Sequence, residues 1–241
     1  QRKFIMFQRI GIVGVCAASL YIALVLGVWE SNAVLAQVQD AIRKVQTASY
    51  TVTHSTGDKQ EIRWKVKLVG DDLCRIDQPN GIYLVFDVKS KRIMEVNPNT
   101  SKVRITENLP VPNSFSVIAT LVNLEASAVA HSPKPPNRTI SGKEAMGLAI
   151  EENGVQLNVW IDPTTKLPLE MERRVAPAPV SSSPSPEKWS DFRFDEPLDK
   201  SLFAFDVPKG FAVDTRQSPT ARQGKSESYG FGPNQRTVTG N

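Results

Sequence analysis

Chemistry in a protein needs side chains that can move protons, attack a substrate or hold a metal, so residues of that kind come first. The chain carries two histidines, His54 and His131, and two cysteines, Cys16 and Cys74. Neither histidine has a second His or Cys at metal-ligand spacing beside it. There is no Gly-x-Ser-x-Gly elbow for a nucleophilic serine. Ser141-Gly142-Lys143 lacks the flanking glycines of a phosphate loop, and Asp71-Asp72 is one acidic pair at a turn, too short for a calcium loop. Glu170 and Glu172 could in principle share acid–base or metal work. They alternate with Leu169 and Met171, however, which reads as the solvated face of a strand. Asp162 stands before Pro163 and reads as a turn-former. Trp160 reads as a surface or rim aromatic of the same sheet. No catalytic set, cofactor site or metal site emerges, and the chain is read as a non-enzyme whose work is done by surfaces.

The elements that carry these residues point the same way. Val155, Leu157, Val159 and Ile161 alternate with polar neighbours up to the Asp162-Pro163 turn, and Leu167, Leu169 and Met171 alternate after it, the pattern of a hairpin. Upstream, "SYTVTHST", "EIRWKVKLV", "DLCRIDQ", "IYLVFDV", "KRIMEVN" and "SKVRITE" read as six short strands joined by tight turns, among them Asn80-Gly81. Strands so closely spaced form an antiparallel meander. A helix is expected over 33–49, capped by Asn32, with Val34, Val38, Ala41, Ile42 and Val45 on one stripe. A second is expected over 113–127, with Phe115, Ile118, Leu121 and Val122 at helical spacing and Ser114 as its cap. Three more strands follow in 139–175. "EKWSDFRF" adds another, with Phe192 and Phe194 on one face, and "DKSLFAF" makes a short helical turn. The segment "APAPVSSSPSP" and everything after residue 213 are low in apolar content and read as unstructured.

Ile10 to Trp29 is an uncharged run of the length that crosses a bilayer. Arg2, Lys3 and Arg9 precede it and Glu30 follows, an asymmetry that keeps the N-terminus in the cytoplasm and exports the rest. A cleaved signal with Val34-Leu35-Ala36 before the cut competes with this reading. The apolar run is longer than an ordinary signal core, and the cut would fall inside the first helix, so an uncleaved anchor is preferred. The expected organisation is a cytoplasmic arm (1–9), a transmembrane helix (10–29), an extracytoplasmic domain (30–213) and a disordered tail (214–241). Localisation follows: inner membrane, single-pass, with the C-terminal domain in the periplasm. The formal charge is +4, and the N-terminal thirty residues supply half of it, so no basic patch marks a nucleic-acid partner. Cys16 and Cys74 lie in different segments and are not expected to pair. Val15 argues against lipidation of Cys16.

Three stretches together resemble the LolA/LolB/RseB-like lipoprotein-carrier superfamily, in a membrane-anchored form like uncharacterised planctomycete-type members. They are "VQTASYTVT", where helix runs into strand; "TISGKEAMGLAIEENGVQLNVWIDPTTKLPLEMERRV", with Trp-x-Asp before its turn and Leu-Pro after; and "SDFRFDEPLDKSLFAFDVPKGF". The resemblance covers about residues 33 to 213. It implies an α+β fold: a curved antiparallel half-barrel of about ten strands with two helices on its concave side, preceded by the transmembrane helix. It also implies a greasy hollow for lipid acyl chains. An anchored chain cannot shuttle as a soluble carrier does, so the resemblance implies the fold and the hollow and does not fix a role in lipoprotein delivery.

A simple meander register places Ile62, Trp64, Val66, Leu68, Leu84 and Phe86 on one apolar face, and these six are the candidate ligand-binding residues. The expected function is a membrane-anchored extracytoplasmic domain holding a lipid or a lipoprotein acyl chain. The alternative is an envelope-stress sensor or regulator that acts through partner contacts, with a cytoplasmic segment ahead of Gln1 meeting a signalling partner.

Overall fold

A computed structural model describes residues 32–55, 60–108, 121, 134–152, 155–175 and 187–217. Helix α1 spans 32–42. The strands are β1 (Thr47–Ser55), β2 (Glu61–Val69), β3 (Leu73–Asp77), β4 (Tyr83–Asp87), β5 (Arg92–Asn97), β6 (Lys102–Glu107), β7 (Arg138–Ile140), β8 (Lys143–Glu152), β9 (Val155–Ile161), β10 (Pro168–Val175), β11 (Glu187–Phe194) and β12 (Ala212–Gln217). A 3-10 turn at Lys200–Phe203 lies between the last two.

All twelve strands form one sheet, in the order β12-β6-β5-β4-β3-β2-β1-β11-β10-β9-β8-β7. Two antiparallel runs, β1 to β6 and β7 to β10, are joined where β11 pairs with β1 on one side and β10 on the other. Strand β12 adds to β6 in parallel. The β7–β8 hairpin turns on Ser141 and Gly142, both at positive φ (50° and 80°), the two-residue geometry in which glycine carries no steric cost.

The α+β expectation needs correction. The sheet has twelve strands, not about ten, and one helix longer than a turn among the described residues, not two. The additional strands carry no apolar alternation that a sequence could show. Strand β7 is three residues long, and β12 is held through its backbone while Ala212 to Thr215 stay exposed. Of the second expected helix, only Leu121 is described; it is helical and fully buried. No helix among the described residues is long and apolar enough to cross a membrane. Residues 10–29, where that helix was expected, lie outside the described residues, as does Cys16.

Helix α1 also ends earlier than expected. It stops at Ile42, and Thr47 already pairs with Val69. The backbone N–H of Gln46 donates to Asp195 Oδ1 at 2.7 Å and the Thr47 hydroxyl donates to the Glu196 carbonyl at 2.7 Å. The end of β11 therefore captures the segment that a longer helix would have used. Leu35, Val38 and Ile42, at helical spacing, are the helix's buried contribution to the core.

The sheet packs on both faces. One face carries α1 and Leu121 over Tyr50, Val66, Leu68, Cys74, Phe86, Leu148, Ile150, Leu157, Val159 and Met171. The Gln39 side-chain amide donates to the Leu121 carbonyl at 3.1 Å, tying the helix to Leu121. The other face carries Val85, Met94, Val96 and Val103 under Phe203, Leu202 and Phe205. Burial pushes the Cys74 thiol far up, out of reach of ordinary thiolate chemistry.

Candidate ligand-holding face

The helix-bearing face is the one that the six candidate residues occupy. Strand register brings them into two cross-strand rows: Leu68 opposite Cys74 opposite Phe86, and Val66 opposite Ile76 opposite Leu84. Trp64 faces Val52 and Ile62 faces His54 on β1. The structure then divides the six. Val66, Leu68 and Phe86 are buried in the core. Ile62, Trp64 and Leu84, together with Ile76, are half-buried. For Ile62 and Trp64 the division follows strand length. Strand β3 ends at Asp77, opposite Lys65, so the first four residues of β2 have β1 beside them but no β3 partner.

A bulge decides what else joins this face. Asp191, at φ 57°, is the extra residue in β11, and the pairing with β1 shifts between Ser49 and Thr51. Strict alternation would put Trp189 and Phe192 on opposite faces. With the bulge, Trp189, Phe192 and Phe194 all pack in the same core. Tyr50 and Phe192 lie with ring centroids 5.2 Å apart, and Phe192 stacks on Phe194 at 5.7 Å.

The same bulge brings Glu187 to the helix-bearing face, completing a polar trio that sequence reasoning missed. Ile150, Leu157, Arg173, Glu187, His54 and Ile62 stand side by side across six strands. Arg173 Nη1 lies 3.3 Å from Glu187 Oε2. His54 Nδ1 is 3.9 Å from Glu187 Oε1, and this buried nitrogen has no hydrogen-bond partner. The next row, Leu148, Val159, Met171, Trp189, Val52 and Trp64, is wholly apolar. No sequence signal marks the trio, because its members lie on three strands and one of them owes its orientation to the bulge. His131 lies outside the described residues.

Two charged clusters on the opposite face are structural. Glu170, expected in solvent, is 7% exposed. Its carboxylate binds Arg138 and, at 2.9 Å, Lys188. Trp160, expected at a surface or rim, is buried under the Arg138 guanidinium, 3.4 Å from its ring centroid. Its indole N–H donates to the Pro136 carbonyl at 3.1 Å, and the Gly147 N–H donates to Asn137 Oδ1 at 3.2 Å. Residues 135–138 are thus strapped across the sheet. Asp162 is the expected turn-former, accepting from the N–H groups of Thr164 and Thr165 at 2.8 and 3.2 Å.

The second cluster centres on Asp77, which receives Lys67 Nζ at 2.5 Å and Arg75 Nε at 2.7 Å. Burial alone would raise its carboxyl pKa, but the hydrogen bonds and charges of Lys67 and Arg75 outweigh that and hold it below the usual range. Arg75 also stacks over Tyr83 at 3.9 Å and donates to the Leu202 carbonyl at 3.0 Å, fixing the 3-10 turn. Among the described residues no group of three or more His, Cys, Asp or Glu could hold a metal ion.

No protein-family model matches this sequence, and no curated protein matches it. Solved structures do resemble it. An uncharacterised conserved protein from Thermus thermophilus is 13% identical, with 78% of this chain and 99% of that chain covered and a TM-score of 0.48. The complex of Pseudomonas aeruginosa MucA and MucB gives 12% identity, 73% of this chain and 61% of that chain, and a TM-score of 0.41. A LolA superfamily protein from Nitrosomonas europaea gives 12% identity, 72% and 97% coverage, and a TM-score of 0.31.

Proposed function

We infer that this chain is an extracytoplasmic binding domain that holds the acyl chain of a lipid or lipoprotein against the helix-bearing face of its sheet. One observation carries the reading. Along β2 a single apolar face passes from closed, at Val66 and Leu68, to half-open, at Trp64 and Ile62, and Ile76 and Leu84 continue the half-open area on the neighbouring strands. An acyl chain laid along this continuous half-open apolar run gains about 0.8 kcal/mol for each methylene it buries. Export is supported by the uncharged stretch 10–29 with Arg2, Lys3 and Arg9 ahead of it.

The test is uptake of a fluorescent fatty acid by the purified chain, with native mass spectrometry for lipid retained from the cell. Bound lipid and saturable uptake are expected. Trp64→Ala, which removes the largest half-open side chain, is expected to weaken uptake roughly tenfold, the equivalent of about 1.4 kcal/mol of lost contact. A chain that carries no lipid and takes up no fatty acid would reject the reading and leave the regulator that acts through partner contacts.

A further inference from the structure

We propose that Arg173, Glu187 and His54 form the headgroup site of this face, and that the ligand is an amphiphile with an anionic oxygen head, a carboxylate or a phosphate. The inference rests on the reading above and names the ligand class for the same site.

Charged and titratable side chains set half-buried in the middle of an apolar row lose part of their hydration, and an ion pair so placed is weak evidence of a purely stabilising role. Here three stand together, flanked by Ile150 and Leu157 on one side and Ile62 on the other, above a row with no polar member. They are not fully satisfied by one another. His54 Nδ1 is buried without a hydrogen bond, and the closest Glu187 oxygen is 3.9 Å away. Arg173 spends one N–H on Glu187, and its side chain remains 40% exposed, against 17% for His54 and 15% for Glu187. Glu187 therefore orients and neutralises one edge of the guanidinium. The remaining N–H donors of the fork suit the two oxygens of a carboxylate or phosphate. His54 Nδ1 is placed to take part in the same hydrogen-bond set.

Position supports the assignment. Strand β1 ends one residue after His54, β2 begins one residue before Ile62, and β11 begins at Glu187, so His54 and Glu187 stand at the rim on their own strands, while β8, β9 and β10 run one row further, through Glu152, Val155 and Val175, beyond Arg173. The half-open apolar residues begin beside it, at Ile62 and Trp64, and lead away to Ile76 and Leu84. With strands about 4.8 Å apart, the four steps from β11 to β4 cover about 19 Å. A head held at the rim would leave its tail running along the apolar surface, which is the arrangement an amphiphile requires.

The test is calorimetry on the purified full chain with three ligands that share one tail: oleate, 1-oleoyl lysophosphatidate and oleyl alcohol. Oleate and the lysophosphatidate are expected to bind at least tenfold more tightly than the alcohol, and Arg173→Gln to bring all three to the alcohol's affinity. Arg173→Lys, which keeps the charge and the pair with Glu187 but replaces the fork by one ammonium, is expected to retain part of the difference and guards against a variant that merely misfolds. Acetate and inorganic phosphate are expected to show no binding at the same concentrations. Equal affinity of the wild-type chain for all three lipids, or a difference that survives Arg173→Gln, would overturn the proposal. So would acetate or phosphate binding as tightly as the lipids, which would make the trio a free-anion site. Failure of every oleoyl ligand to bind would instead remove the acyl-binding reading itself, and the headgroup site with it.

Discussion

Gly147→Ala is the substitution for which the structure gives the most definite magnitude. A Cβ built at Gly147 would lie 2.3 Å from the Pro135 carbonyl oxygen and 2.9 Å from the Pro135 Cγ. Cβ atoms do not approach a backbone oxygen so closely, and the oxygen belongs to main chain, so the 135–138 strap has to lift from the sheet. Lifting it breaks the Asn137–Gly147 and Trp160–Pro136 hydrogen bonds, together worth about 2 kcal/mol at about 1 kcal/mol each. It also loosens Arg138 from Trp160 and from the buried Glu170. That contact involves partly exposed cations and adds about 1 kcal/mol. The expected loss is about 3 kcal/mol, or a fall in melting temperature of roughly 6–12 °C for a domain of this size. Urea unfolding followed by tryptophan fluorescence measures it, with Trp160 reporting on the strap. Gly142→Ala is the internal standard: its Cβ meets nothing within 4 Å, but its φ of 80° strains any side chain, for about 1 kcal/mol. If Gly147→Ala proved no more costly than Gly142→Ala, the strap would not be held as described.

Other expectations separate the two faces of the sheet. Phe203→Ala empties the centre of the second core and should cost about 3 kcal/mol in urea unfolding, while fatty-acid uptake on the other face stays at the wild-type level. Asp77, whose folded carboxyl pKa is depressed by Lys67 and Arg75, contributes stability that is complete above the ordinary aspartate value of about 4 and is lost as pH falls through the lower folded value. Asp77→Asn should therefore be less stable than wild type near neutrality, and the gap should close in acid; a gap independent of pH would refute the assigned cause. In a Cys16→Ser chain, Cys74 should resist a thiol reagent until urea unfolds the protein, and fast labelling of the native form would contradict its burial.

The meander was legible because a half-buried strand must alternate and a tight turn must use particular residues. "EIRWKVKLV" and the Asn80-Gly81 turn show both rules, and β2 and the β3–β4 hairpin follow them. The shared face of Ile62, Trp64, Val66, Leu68, Leu84 and Phe86 was legible for the same reason, since the short turns leave the register little freedom. Which of the six would be covered was not legible. For Ile62 and Trp64 that depended on β3 ending before it reaches the position opposite Trp64; the end of α1, set by Asp195 and Glu196 far away in sequence, was no more legible. Glu170 misled by its alternation: the pattern assigned it to the outer side correctly, but Arg138 and Lys188 arrive there from other strands and bury it.

By itself the sequence determined a β-rich domain with an apolar face, an uncharged N-terminal stretch, and an absence of clustered catalytic residue types. Tertiary structure alone decided that β12 would add in parallel at one edge and that a single bulged residue, Asp191, would bring Trp189 and Glu187 to the face that Phe192 already occupied. The physical reason is the period of the strand. Alternation fixes sides only while pairing is regular, and one inserted residue reverses every assignment beyond it. His54, Glu187 and Arg173 meet because of that reversal, at a place no local pattern could have named.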